Sequence, residues 1–557
     1  MPSCNVLLIT LAEFQDMNDS RFTLENNVLK GKVVPYPPFE YNSYGELILS
    51  RLKNSPKLVG QIDGTTGEEY TYDQMRDRSV RCALWMKAHG LLPGDVVVVC
   101  DNQHLDVALP CFAALYVGAI FNPLYVGMTK RDFCHMMKTN VPKMAFVNEE
   151  LAATCAAAAE EINLDLKIVV FGRVPGFFEF EKIITEQEVE EVENYKCTPV
   201  KSSHDTAVIL CTSGTSGLPK GVALSHIALL KVQARPALPV LQADKSFIVA
   251  PPAWVTGTFA MLLTVCANAT RLLLPPFDEY TACALIEKLK IHSAFLPVYT
   301  MNRLVKSDAV NKYDLSSLKN VTSSGSIVSV AVREAFVKAI PSATITVGYG
   351  MTEVGGVIIR QSPGSKFGSS GHVLEDSQLK VVDPSTGQVQ GPNKEGELWL
   401  KSSTMMNGYY NNPQATAKAM DEEGWMHSGD LGYYDEDGEI FVVDRLKELI
   451  KYRGYHISPA DIEDVLLPHP GVKEVAVIGL PHPLDDEHPV AFVVRAESSV
   501  TDEKVTEQQL IDLVATEMGD FSQLRGGVKF VDSLPKTESY KTLRRYLRDL
   551  ATSMAAS

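Results

Sequence analysis

Residues 212–221 read Thr212-Ser213-Gly214-Thr215-Ser216-Gly217-Leu218-Pro219-Lys220-Gly221. They follow the apolar run 207–210, whose length and composition suit a buried strand. Glycines let backbone N–H groups approach an anion closely, and the hydroxyls of the segment add donors. Lys220 supplies a point charge suited to phosphate. The Walker pattern is excluded, because Pro219 stands where that pattern needs glycine before the lysine. Taken alone, the segment reads either as a phosphate-binding loop or as a Gly/Ser surface loop.

Outward from this segment, strand-like runs recur at residues 96–99, 144–147, 168–171, 207–210, 246–250 and 344–347. Helical patterns at 79–89 and 281–290 lie between them, and such alternation predicts parallel α/β layers. After Gln361 the texture changes to short strands at 397–401, 431–434 and 440–443. Asp435-Glu436-Asp437-Gly438 is a hairpin turn signal between the last two. A final segment from about residue 445 mixes strands at 475–478, 490–494 and 528–531 with helices at 458–467 and 506–518, an α+β pattern.

Composition limits the function classes. The 557 residues are 45% hydrophobic and 22% charged, which disfavours a disordered or fibrous chain. Lys and Arg number 52 against 68 Asp and Glu, so the net charge of −16 argues against a broad nucleic-acid or anionic-membrane surface. Ten cysteines, none in C-x-x-C spacing, suggest neither a zinc site nor a disulfide framework, and a reducing compartment fits them. The apolar patch Val6-Leu7-Leu8-Ile9 lacks the flanks of a secretory signal, and the last residues are not an S-K-L address. Cytoplasm is the expected compartment.

Four further segments complete a pattern in chain order. They are Tyr349-Gly350-Met351-Thr352-Glu353, Gly424-Trp425-Met426-His427-Ser428-Gly429-Asp430, Asp444-Arg445-Leu446-Lys447-Glu448-Leu449-Ile450-Lys451 and Pro535-Lys536-Thr537-Glu538-Ser539-Tyr540-Lys541. With residues 212–221 they resemble the motifs of the adenylate-forming superfamily: acyl-CoA synthetases, peptide-synthetase adenylation domains and beetle luciferases. The resemblance runs from about Asn27 to Leu550, and residues 425–457 are most similar to the insect luciferase-like branch. It implies an α/β fold with a large N-terminal adenylation domain, made of two α/β subdomains plus a small β-barrel. A smaller, mobile α+β lid follows. The expected boundaries are an extension at 1–26, the adenylation domain at 27–444 and the lid at 445–557, with the ligand site in their cleft.

The resemblance also implies chemistry and roles. A carboxylate attacks the α-phosphate of ATP, so two anions must meet while charge builds on the transferred group; cations and fixed donors are required. Thr212, Ser213, Gly214, Thr215, Ser216, Gly217 and Lys220 would cradle phosphates. Thr352 would donate to the α-phosphate, Glu353 would hold Mg²⁺, and Lys541 would bridge carboxylate and phosphate oxygens in the transition state. Asp430 would accept from the ribose hydroxyls, Arg445 would contact ribose or phosphate, and Tyr349 would stack on adenine. Ser324-Gly325-Ser326, with Gly348, Gly350 and Met351, would line the adenine and acyl pocket. Lys447 would be the hinge about which the lid turns between half-reactions. Lys451, Arg453 and Gly454 would then face CoA, with Gly454 letting the pantetheine arm pass the backbone. Out of context, Glu353 reads as a solvated carboxylate, Asp430 as a turn residue, and Arg445 and Lys541 as surface cations. Tyr540 stands where the family usually has glycine before the lysine.

The acid is less defined. Ala253 and Trp254 stand where firefly-type luciferases carry two histidines, while Trp254-Val255-Thr256-Gly257 resembles acetyl-CoA synthetases. Those synthetases close the pocket with a tryptophan at the position of Gly350, so glycine there is expected to leave the space open. With Trp254, Thr256, Gly348 and Gly350 as pocket residues, the leading expectation is an AMP-forming acid–CoA ligase for a medium- or long-chain fatty or arylpropenoic acid. It would use ATP, Mg²⁺ and CoA as partners, with no nucleic acid. The alternatives are an insect luciferase, a dual-function relative, or a weakly catalytic binding protein.

Overall fold

The computed structural model describes residues 22–34, 39–212, 219–235, 245–274, 277–328, 330–453, 455–496, 505–518, 520–537 and 541–556. Three sheets make up most of the chain and a fourth forms its C-terminal unit. The strand Val96–Cys100 is Val-Val-Val-Val-Cys, buried throughout, and pairs in parallel with Ile120–Pro123 and Pro142–Val147. A strand with no polar face suits the middle of a sheet covered on both sides. It anchors an eight-stranded sheet that ends in two antiparallel strands, Lys220–Ser225 and Gly408–Tyr409. The second sheet has nine strands: from Ser293–Phe295 one side runs through Lys245–Ile248, Thr270–Leu273 and Val59–Asp63 to Glu69–Thr71, and the other through Asn320–Ser324, Thr344–Met351 and Gly356–Arg360 to His372–Val373.

Helices fill the space between these sheets. Ala108–Val117 has no polar face and is buried at every position. Tyr44–Asn54 and Tyr72–Ala88 each begin at a capping box, which satisfies two N-terminal donors reciprocally. Tyr72 reaches across to the Thr264 and Val265 carbonyls at 3.3 and 3.1 Å, tying two helices together through a buried phenol.

The third sheet is antiparallel, in the order Phe22–Glu25, Val28–Gly31, Ser377–Val382, Gly396–Ser402, Met426–Tyr434 and Ile440–Arg445. It occupies the place of the expected small barrel, and side chains bring its two ends together. Gly438, at φ +74°, lies so close under the Phe22 ring that a Cβ there would fall 2.0 Å from it. Phe22–Glu25 is therefore part of a sheet, and the expected extension at 1–26 takes in a structured strand. The reason is local: Asn26 and Asn27 both adopt positive φ, making a tight turn that folds 22–25 back on 28–31.

The fourth sheet begins at Ile450–Tyr452, after the short connector from Leu446 to Leu449. Its long hairpin, Val472–His482 with Asp486–Arg495, packs on the helices Pro459–Leu466 and Glu507–Glu517. Lys306, at the end of helix Val298–Lys306, crosses to it and donates to the Val472 and Lys473 carbonyls, at 3.0 Å each.

One buried histidine gives the fold an acid limit. His226 Nδ1 accepts from the Tyr44 N–H at 3.2 Å, and Nε2 has no partner among the described residues. Burial brings its pKa down from 6.5 to about 4. Between those values the unfolded chain binds more protons than the folded one, so the stabilisation is complete above pH 6.5 and is lost as pH falls through 4. The window is worth about 3 kcal/mol. Urea unfolding from pH 7 to 4 should therefore show a drop that the non-titrating His226→Asn variant lacks; equal slopes for the two proteins would refute the assignment.

Candidate active site

A cleft of about 2100 Å³ opens between the three N-terminal sheets and the C-terminal unit. The strand Thr344–Met351 delivers Tyr349 and Met351 to it, then turns into the short 3₁₀ segment Thr352–Val354. Gly355, at φ +79°, ends that turn, and a Cβ there would strike the Thr404 carbonyl. The sharp reversal holds Glu353 buried, with Thr352 on the cleft wall.

Asp430 and Arg445 are directly opposite one another in the hairpin formed by Met426–Tyr434 and Ile440–Arg445. This register brings Arg445 Nε to 2.9 Å from Asp430 Oδ1. The Tyr349 hydroxyl donates to Oδ2 at 2.6 Å, and the Asp430 N–H donates to Ser428 Oγ at 3.0 Å. Burial raises the pKa of Asp430, while Arg445, Tyr349 and Lys541 oppose that rise. Burial and the Asp430 charge push the Tyr349 phenol well above its usual value, so it stays a donor. Each Asp430 oxygen keeps a second lone pair for an incoming hydroxyl. The expectation for Tyr349 is stacking on adenine; what the structure shows is its hydroxyl orienting this carboxylate.

Thr212 and Lys220 are partners in antiparallel strands, and a strand rather than a helix follows at Lys220–Ser225. Residues Ser213, Gly214, Thr215, Ser216 and Gly217 of the expected phosphate cradle lie outside the described residues. Tyr409 was not anticipated. The two-residue strand Gly408–Tyr409 pairs with Lys220–Ser225, which sets the Tyr409 ring 4.9 Å from Lys220 Nζ. Its hydroxyl donates to Glu353 Oε1 at 2.8 Å. Burial, with the Glu353 charge, pushes this phenol up as well. Glu353 Oε2 accepts no hydrogen bond among the described residues, so a carboxylate oxygen is left for a hard cation that keeps its remaining shell of waters and phosphate oxygens. The donor chemistry thus fits Mg²⁺.

Lys541 reaches the same cleft from the C-terminal unit. Its N–H donates to Thr537 Oγ1 at 3.1 Å and its carbonyl accepts from the Thr537 N–H at 2.7 Å, which staples the loop; Tyr540 lies outside the described residues. The side chain is open to the cleft, yet the surrounding protein lowers its pKa, and the Arg445 charge lowers it further. Asp430, Glu448 and Glu353 oppose both effects. Arg544 pairs with Glu448 at 3.2 Å and with Glu463, linking the connector to the lid.

Ser324, Gly325, Ser326, Gly348, Trp254, Thr256 and Lys447 also line the cleft. Burial lowers the Lys447 pKa, and Arg445 adds to the effect. Lys451 and Arg453 do not line it. The Lys451 N–H donates to Glu487, and Arg453 Nε donates to Asp485 Oδ1 at 2.6 Å, both within the C-terminal unit. Gly454 lies outside the described residues.

Gly350 departs from expectation. Its Cα lines the cleft, but a Cβ would meet the Gly356 carbonyl oxygen at 2.0 Å and Val357 Cα at 2.7 Å. Glycine is required there by the close approach of the neighbouring antiparallel strand, at an irregularity in the register between Tyr349 and Gly350. The position is not spare pocket floor, and a larger side chain would displace backbone before it shortened the pocket.

This fold and constellation define an adenylate-forming enzyme. The chain belongs to the AMP-binding enzyme family: residues 50–410 match the AMP-binding enzyme profile and residues 461–541 its C-terminal domain. It is 32% identical to luciferin 4-monooxygenase of Photinus pyralis over 538 residues, 94% of this chain and 97% of that protein. It is 34% identical to 4-coumarate--CoA ligase 3 of Oryza sativa subsp. japonica, covering 87% and 88% of the two. An anthranilate CoA ligase solved with anthranoyl-AMP superimposes with a TM-score of 0.84 at 23% identity, over 93% of this chain and 98% of the other. The expected class holds: an AMP-forming acid–CoA ligase working with ATP, Mg²⁺ and CoA. No described helix is long and apolar enough to cross a membrane.

Removing the Tyr409 hydroxyl isolates this interaction. Tyr409→Phe leaves a buried Glu353 oxygen without its donor and should cost about 1–2 kcal/mol in equilibrium unfolding. An unchanged stability would show that water replaces the phenol at no cost.

Proposed function

We propose that the chain links a medium- or long-chain fatty acid, or an arylpropenoic acid, to CoA, and does so in the cytoplasm. In the first half-reaction the carboxylate oxygen bonds to the α-phosphorus of ATP and the bond to pyrophosphate breaks. In the second the CoA sulfur, having lost its proton, bonds to the acyl carbon and AMP leaves. The reading rests on one observation: Glu353, Asp430, Arg445 and Lys541, drawn from four separate motifs, converge in one cleft.

In this reading Lys541 bridges the acid and the α-phosphate, where negative charge accumulates. Thr352 donates to the same phosphate, and Thr212 and Lys220 hold the far phosphates. Glu353 would hold Mg²⁺, which when bound would neutralise phosphate charge. Asp430, kept in one orientation by Tyr349 and Arg445, accepts the ribose hydroxyls. Lys447 is the pivot of a lid, residues 445–557, that turns on the body at 27–444 to bring Lys451, Arg453 and Gly454 towards CoA. Support for an apolar acid comes from Val232, Ile248, Trp254, Phe259, Leu263 and Phe295, which line one side of the cleft.

A second reading is favoured by the 32% identity with a luciferin 4-monooxygenase: an oxygenase that oxidises its adenylate. The two readings share the first step and part at the second. Purified protein with ATP, Mg²⁺ and a panel of fatty and arylpropenoic acids, with and without CoA, should give pyrophosphate and a CoA-dependent thioester by mass spectrometry. Light with a luciferin and no thioester would establish the oxygenase instead. Neither product with any acid would overturn both.

The division of labour predicts a split phenotype. Lys541→Ala should slow pyrophosphate release by about 100- to 1000-fold while sparing thioester formation from supplied acyl-adenylate. Equal losses in the two assays would remove Lys541 from its proposed role.

A further inference from the structure

The connection between the strands Val472–His482 and Asp486–Arg495 carries a side-chain cluster that acid activation does not use. His482 and Asp486 are the last register pair, and Asp486 adopts φ +65°, so the chain doubles back sharply. The bend brings His482, Asp485 and His488 to one point. His482 Nδ1 lies 3.3 Å from Asp485 Oδ2, and His488 Nε2 lies 2.8 Å from the same oxygen. The two imidazoles stack with centroids 3.8 Å apart and planes inclined by 16°. One ligand atom from each of the three residues lies within 4.8 Å of the others, the single such grouping among the described residues.

These separations suit a shared ion. With metal–ligand bonds of about 2.0–2.2 Å, neighbouring ligand atoms on one ion stand roughly 2.8–3.5 Å apart. The carboxylate is also held in place. Arg453 Nε donates to Asp485 Oδ1 at 2.6 Å, and the Arg453 N–H donates to the Asp485 carbonyl at 3.1 Å. Fixing Oδ1 directs Oδ2 at both rings, as outer hydrogen bonds do for ligating carboxylates. His482 Nδ1 also accepts from the Leu484 N–H at 3.4 Å, a long bond that the ring would give up on turning about its broad terminal torsion towards the common point. Asp485 is buried, while both histidines keep solvent-facing edges, which leaves room for a water as a further ligand.

We propose that His482, Asp485 and His488 form a three-ligand site for a borderline divalent cation of the Zn²⁺ class, with a further position open to water. Two imidazoles and one carboxylate select such ions over Mg²⁺ and Ca²⁺, which favour all-oxygen shells. None of the three residues lines the cleft, so the site stands or falls independently of the ligase reading.

The test uses tag-free, full-length protein stripped with a chelator and titrated with Zn²⁺ by calorimetry and with Co²⁺ by visible absorption. One equivalent should bind, with Co²⁺ showing ligand-field bands of a low-coordinate nitrogen–oxygen site, and millimolar Mg²⁺ should not displace it. His482→Ala, His488→Ala and Asp485→Asn should each weaken binding at least about tenfold. Far-ultraviolet circular dichroism checks that each variant is folded, and His482→Ala should retain wild-type pyrophosphate release. No uptake by the wild type, or affinity unchanged in folded His482→Ala and Asp485→Asn, would overturn the proposal and leave the cluster as two histidines hydrogen-bonded to one carboxylate.

Discussion

Asp430 is a carboxylate withdrawn from bulk water, and its burial is tolerable only because groups from two other strands meet it. Burying an ionised carboxyl costs several kcal/mol unless it is paired and hydrogen-bonded. Here Arg445 comes from the adjacent strand and Tyr349 from the end of the nine-stranded sheet, while the Asp430 N–H is satisfied by Ser428 Oγ. The pairing fixes the six-stranded sheet against the nine-stranded one. It also fixes where the chain leaves for its C-terminal unit, since Arg445 is the last residue before the connector. Lys541 then enters a field already set: Arg445 repels it, and three carboxylates hold it. A lysine placed between an arginine and several acids is suited to a bound anion that adds negative charge beside it.

The same economy governs the other side of the cleft. An antiparallel pair, Thr212 with Lys220, flanks the proposed phosphate loop, and the minor edge strand Gly408–Tyr409 pairs with Lys220–Ser225. Tyr409 links Lys220 and Glu353, its ring beneath the lysine and its hydroxyl on the carboxylate. A cation and a carboxylate that would otherwise attract each other directly are kept apart by an amphipathic side chain, so each remains available to a ligand.

Much of this was legible in the sequence. The strand and helix runs of the α/β part, the hairpin at Asp435–Gly438 and the α+β ending follow from periodicity and turn residues, which are local signals. The resemblance picked out Glu353, Asp430, Arg445 and Lys541 because their motifs are contiguous. Tyr409 escaped notice because its strand is two residues long and sits among turn residues, and only pairing with a distant strand gives it a role. Phe22–Glu25 escaped because a strand of mostly exposed residues, held by a turn of two asparagines, has no apolar signature. Gly350 misled for the opposite reason: sequence reveals a missing side chain but not what fills its place.

What fills it is main chain. At Gly350 the cleft wall is built from backbone atoms, and a side chain there would displace the neighbouring strand. Lineages of this enzyme that drift towards new acids must therefore do so on the opposite wall, along the helix Val255–Cys266 and its leading Trp254, where side chains are exchangeable. The cleft has one wall of main chain and one of side chains, an asymmetry that would channel any divergence in substrate choice.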